Sequence, residues 1–149
     1  MYSTVLLLHS WLRWLALIGG VGALFALFKE GDQTTSNGDR WVLITMIALD
    51  VQLLLGLLLY FALSPFTAEA MRDFGAAMRN APLRFWAVEH ITTMFGAVIL
   101  IHVGRVLARK SKDGSGRLKL IVCVALAVMA MLGGMPWPGM ASGRPLFRM

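Results

Sequence analysis

Four apolar stretches, each close to the length that crosses a bilayer, limit what this chain can fold into. They cover residues 5–28, 41–63, 85–107 and 118–135, and a helix needs about 20 apolar residues to span the hydrocarbon core. Hydrophobic residues make up 58% of the 149 residues and charged residues only 15%, whereas about 25% are charged in a typical soluble protein. A soluble core of this length cannot hide so much apolar surface, so we expect lipid as the solvent.

The connections between these stretches predict an all-α, up-and-down bundle of four helices in a single membrane domain, residues 1–149. The first and third connections, KEGDQTTSNGDR and RKSKDGSGR, are short and polar, with residues typical of turns. The N-terminal MYST lacks the positive charge that begins a signal peptide, so the first stretch is expected to be a retained span. The lone Cys123 lies inside an apolar stretch and has no partner for an intrachain disulfide.

The second connection, SPFTAEAMRDFGAAMRNAP, and the C-terminal tail differ from ordinary loops. Ser64 can cap a helix that has Pro65 at its first position. Apolar residues then recur at helical spacing, so we expect a short amphipathic helix over 65–80 that lies in the membrane interface. The tail over 136–149 contains three prolines and is expected to be extended on the surface.

Basic residues set the expected orientation. The net charge is +6, but the basic residues cluster between the apolar stretches, where the positive-inside rule expects them, so nucleic acid is not an expected partner. The first and third connections with their flanks hold eight lysines and arginines, and the second connection and the tail hold five. The richer side is expected to face the cytoplasm, which places both termini outside.

Two of the three histidines fall at the same depth on different spans. Counted at 1.5 Å per residue, His9 and His90 each lie about 7 to 9 Å below the outer surface. The first and third spans are diagonal in an up-and-down bundle, so both rings can point into its centre. Two imidazoles can fill the axial positions of a haem iron, and Ala16, Gly20 and Ala97 leave room for a flat ring. The ordinary alternative is that these histidines bond to neighbouring helices.

Other residues complete the predicted haem site. Trp11, Arg84 and Trp86 lie at the water edge, where propionates need basic or indole donors. Arg13, one helical turn after His9, is expected to be a buried cation on the same face of the cofactor site. His102 is about 18 Å deeper than His90. It either bonds a neighbour or lines a quinone pocket, and a second haem between His102 and Met46 is the alternative.

Charged residues within the spans need partners, because a lone charge in lipid is expensive. Arg13 and Asp50 reach similar depths, so we expect them to form an ion pair, with Gln52 in support. The functional alternative makes Asp50 a step in a proton route. Glu89 either accepts a proton from a quinol or pairs with Arg84 or Arg13.

Five motifs together resemble a group of small bacterial four-helix membrane proteins labelled b-type cytochromes. They are LHSWLRW, DVQLLLGLLLYF, RFWAVEH, LIHVGR and the closing GRPLFR. The resemblance implies the bacterial inner membrane, a haem b and ligation by His9 and His90, with His102 as a further candidate. The second and fourth spans carry no histidine, which departs from cytochromes with two haems, so one haem is expected.

The leading functional prediction is a haem-b protein that passes electrons between the quinone pool and a partner at the outer face, rather than a stand-alone enzyme. Its expected partners are the lipid bilayer, a quinone and other subunits of a membrane redox complex. The alternative is a haem-free accessory subunit of a larger respiratory or photosynthetic complex. A proton-coupled transporter is disfavoured because the sequence has neither inverted repeats nor broken helices.

Overall fold

Helices form every regular element of the computed structural model, which describes residues 1–29, 36–112 and 114–147. In chain order they are α1 (Tyr2–Lys29), α2 (Ser36–Leu58), α3 (Pro65–Arg72), α4 (Phe74–Arg79), α5 (Ala81–Arg84), α6 (His90–Lys110) and α7 (Gly116–Gly133). A π-helical segment, Leu59–Leu63, continues α2, and a second one, Phe85–Glu89, leads into α6. The all-α prediction is therefore confirmed.

Four continuous helices are long and apolar enough to cross a membrane, in agreement with the four predicted spans. They run over Tyr2–Lys29, Asn37–Leu63, Ala81–Lys110 and Gly116–Gly133. Large apolar side chains point outward from them; Phe25, for example, is 70% exposed and Met129 66% exposed. Such surfaces are stable against lipid or another apolar partner, so the chain is compatible with a multi-pass membrane protein.

The four long helices pack in a closed order. The most extensive contacts join α1 to α2 and α6 to α7, and further contacts join α1 to α7 and α2 to α6. As a result α1 and α6 lie opposite each other. Small residues allow close approach: a Cβ added to Gly104 of α6 would lie 2.6 Å from Cys123 Cβ of α7.

The segment after α2 is divided into short helices where the sequence predicted one helix over 65–80. Ser64 caps α3 as predicted, since its hydroxyl accepts a hydrogen bond from Thr67 N at 3.4 Å. Asp73 then accepts from Ala76 N at 2.8 Å, and Asn80 accepts from Leu83 N at 3.2 Å. Each of these side chains caps a new helix, which explains the two breaks.

The tail folds back on the helices instead of lying extended. The Arg144 backbone N–H donates to Pro136 O at 3.1 Å, which closes a loop between these residues. A Cβ on Gly143 would lie 2.6 Å from Trp137 O, so the loop requires glycine there. The Trp137 indole N–H donates to Leu132 O at 2.8 Å and ties the loop to the end of α7. This folding brings the tail to the end of the bundle that holds His9 and His90.

Candidate functional site

An apolar cavity lies between α1, α2, α6 and the tail, and both His9 and His90 line it. Its volume is about 130 Å³. Polar side chains on its wall include Gln52, Tyr60 and Arg144, among many aliphatic and aromatic groups. A ligand as large as a porphyrin would enter only if surrounding side chains gave way, whereas a smaller apolar group fits as the cavity stands.

The two histidines of the predicted site meet across the cavity. Their ring centroids are 6.2 Å apart, and the ring planes are inclined by 66°. Metal–imidazole bonds are about 2 Å long and each ring centroid lies about 1 Å from its nitrogens, so one shared metal ion requires a centroid separation of about 6 Å. The observed separation of His9 and His90 is close to this value.

His90 is oriented by a backbone carbonyl. Its Nδ1 lies 2.7 Å from Gly134 O. A carbonyl accepts, so Nδ1 carries the proton and Nε2 is the unprotonated nitrogen of the neutral ring. Metal-binding histidines commonly donate their other N–H in this way. The rings of Phe85 and Trp86, in the π-helical segment before α6, lie 5.8 Å and 5.5 Å from the His90 ring and restrict its position further.

The side chains of His9 and Gln52 each have an unpaired polar atom. His9 Nδ1 and Gln52 Oε1 are both buried without a hydrogen-bond partner among the described residues. Gln52 Nε2 donates to His9 O at 2.9 Å, and a Cβ on Gly56 would lie 3.2 Å from His9 Cε1. The contact that Gln52 makes with His9 is therefore to its backbone and not to its ring.

Arg13 and Asp50 are not brought together. The Arg13 guanidinium donates to Leu146 O in the tail at 2.7 Å, and the Trp14 indole N–H donates to the same oxygen at 3.0 Å. Asp50 instead faces His102, whose Nε2 lies 3.6 Å from Asp50 Oδ2. The predicted pair depended only on the equal depth of the two residues. Depth along a helix does not indicate that the tail places an acceptor, Leu146 O, next to Arg13.

His102 is separate from the cavity. Its Nδ1 lies 2.9 Å from Val98 O of the same helix, and its Nε2 faces Asp50 on α2. Met46 Sδ accepts from Arg105 at 3.8 Å. The structure therefore does not join Met46 to His102.

The predicted propionate donors fall in three different places. Trp86 lines the cavity. Arg84 Nε donates to Glu89 Oε1 at 2.6 Å, which is one of the pairings expected for Glu89. Trp11 is 52% exposed and packs against Phe147, with the ring centroids 5.8 Å apart.

Sequence reasoning missed Arg144 and Gly134. The Arg144 guanidinium lies over the Phe66 ring, 4.6 Å from its centroid, and 5.4 Å from the centroid of Trp86. Arg144 also lines the cavity. The available signal was the glycine-rich turn around Gly139 and Gly143, which can reverse the chain, but the turn does not say where the tail lands.

The described residues do not form a metal site from protein ligands alone. Over residues 1–29, 36–112 and 114–147, no three His, Cys, Asp or Glu side chains are grouped to hold a metal ion. Structural zinc sites need four protein ligands, and catalytic ones need three.

Neither a protein-family model, nor a curated protein sequence, nor a solved structure matches the chain. The resemblance to small b-type cytochromes thus depends on the quoted motifs.

Gly134 provides a direct test of how the site is held. Its φ of −86° suits any residue, but an added Cβ would overlap Thr93 Oγ1 and lie 3.1 Å from Thr93 Cβ. Gly134→Ala should push the chain away from α6 and lengthen the bond to His90, with a loss of about 1–3 kcal/mol. Thermal unfolding in detergent measures the loss.

Gly133→Ala is the matched control, because a Cβ on Gly133 meets nothing within 4 Å. It should unfold at the wild-type temperature or slightly above it. Equal unfolding temperatures for the two variants would contradict the close packing of Gly134 on α6.

Proposed function

We propose that this chain is a haem-b protein of the bacterial inner membrane that passes electrons between the quinone pool and a partner at the outer face. The observation that carries the proposal is the meeting of His9 and His90 at 6.2 Å inside an apolar cavity. The closed order of the four long helices supports an up-and-down bundle across the membrane. The segment over 65–80 would then lie in the outer interface.

The proposal assigns a role to the main residues of the site. His9 and His90 would hold the iron through their Nε2 atoms. The haem, when bound, supplies a group that gains and loses one electron. The Gly134 carbonyl keeps the proton of His90 on Nδ1, and Gln52 bonds the backbone carbonyl of His9. The aliphatic wall limits access of water, which influences the reduction potential.

A haem-free accessory subunit is the second candidate, and a separate observation favours it. Asp50 and His102 lie within spans, and their side chains are 43% and 44% exposed. Ionisable side chains at membrane depth usually face protein or water rather than lipid. A neighbouring subunit on the face formed by α2 and α6 would cover this pair, and the contact between His9 and His90 would then be structural.

Absorption spectra separate the two candidates. The purified protein should show the reduced-minus-oxidised spectrum of a six-coordinate, low-spin haem b. His9→Ala and His90→Ala should each lose the haem or make it high-spin, because each removes one axial ligand. His102→Ala is the matched control and should leave the spectrum unchanged, since His102 lies away from the cavity. Haem-free preparations, or a spectrum that depends on His102 alone, would exclude the proposed ligation.

The proposed orientation places both termini outside, as the distribution of basic residues predicts. Single cysteines at Arg79 and Lys112, in a Cys123→Ala background, test it with an impermeant thiol reagent on intact cells. We expect labelling at position 79 and protection at position 112. The reverse pattern would invert the orientation and leave the geometry of the cavity unchanged.

A further inference from the structure

Histidine and arginine side chains line the cavity, and no acidic side chain does so in the described part of the chain. Within the described part of the chain, its ionisable lining includes His9, Arg13, His90 and Arg144, but no aspartate or glutamate. Most of the remaining lining is aliphatic or aromatic. The surroundings therefore suit a ligand with an apolar body and a negatively charged group.

Arg144 is the basic group best placed to bind that charge. Aromatic rings flank its guanidinium, with centroid distances of 4.6 Å to Phe66 and 5.4 Å to Trp86. Its backbone N–H is bonded to Pro136 O, so the residue is fixed at both ends. Arg84 pairs with Glu89, and His102 contacts Asp50, and neither of these contacts includes Arg144. A stacked guanidinium retains the forked donor geometry that matches a carboxylate.

The tail residues that follow Arg144 are attached to α1. Three residues further along the tail, Phe147 stacks on Trp14 with 5.4 Å between the ring centroids. Between them, Leu146 O accepts from both Arg13 and Trp14. Arg13 Nη2 is thus bonded to the tail, while Arg144 lines the cavity and its side chain has neither a hydrogen bond nor an ion pair among the described residues.

We propose that Arg144 binds the carboxylate of the ligand that fills the cavity. The inference rests on the proposed function, under which this carboxylate is a haem propionate. A fatty acid has the same chemistry, an apolar body with one carboxylate, and is the other source to be distinguished. Arg144 then takes the role that the sequence suggested for Arg84 and Trp11.

Hemin and hemin dimethyl ester provide the test, because esterification replaces the two propionate charges with neutral methyl esters and leaves the porphyrin and its iron unchanged. Both are titrated into full-length protein produced without haem and purified in detergent, with binding followed at the Soret band. Wild-type protein should bind hemin roughly tenfold or more tightly than the ester. Arg144→Gln should bind the two equally, and Arg144→Lys should lie between, since lysine keeps the charge but not the fork.

Arg79→Gln is the matched control, an exposed arginine on α4 outside the cavity lining, and it should keep the wild-type preference. If wild-type protein binds hemin and the ester equally well, the proposal for Arg144 is overturned while haem binding stands. That comparison needs no variant and therefore does not depend on how Arg144→Gln folds.

Oleate separates failure of this inference from failure of the proposed function. If wild-type protein does not bind hemin, the haem proposal fails, and oleate binding is measured by native mass spectrometry. Oleate bound by wild-type protein and lost in Arg144→Gln supports a carboxylate site for a fatty acid. Oleate bound equally by both, or by neither, overturns the site.

Discussion

The hydrogen bond from His90 Nδ1 to Gly134 O joins the start of α6 to the end of α7, and the other contacts of the site depend on it. It determines which nitrogen of His90 carries the proton. It also fixes the point from which the tail leaves the bundle. From there the tail turns back, so that Arg144 reaches the cavity and Leu146 reaches α1. The close approach at Gly134 thereby links His90 to the tail residues around the cavity.

Polar groups gathered at one end of an apolar bundle need a compensating interaction. Burial of an unpaired polar atom costs free energy, and the cost rises in surroundings of low polarity. His9 Nδ1, Arg13 Nε and Gln52 Oε1 are buried without partners among the described residues, and all three side chains line the cavity. A ligand in the cavity would offset this cost only if it offered hydrogen-bond partners to these atoms.

Hydropathy was sufficient to predict the four helices, because their length and composition depend only on local sequence. Counting residues along helices also predicted the shared depth of His9 and His90. The same counting predicted a pairing of Arg13 with Asp50, but depth does not reveal which side of a helix faces which neighbour. The acceptor of Arg13 lies 133 residues away in the tail. A contact so distant in sequence leaves no periodic signal.

The central claim is that His9 and His90 share one iron. Electron paramagnetic resonance of the oxidised wild-type protein tests it most directly, because the signal reports both axial ligands and the angle between their planes. With ring planes inclined by 66°, we expect a low-spin ferric signal of the strongly anisotropic kind that inclined imidazole planes produce. A high-spin ferric signal, or no haem signal from intact protein, would contradict the claim.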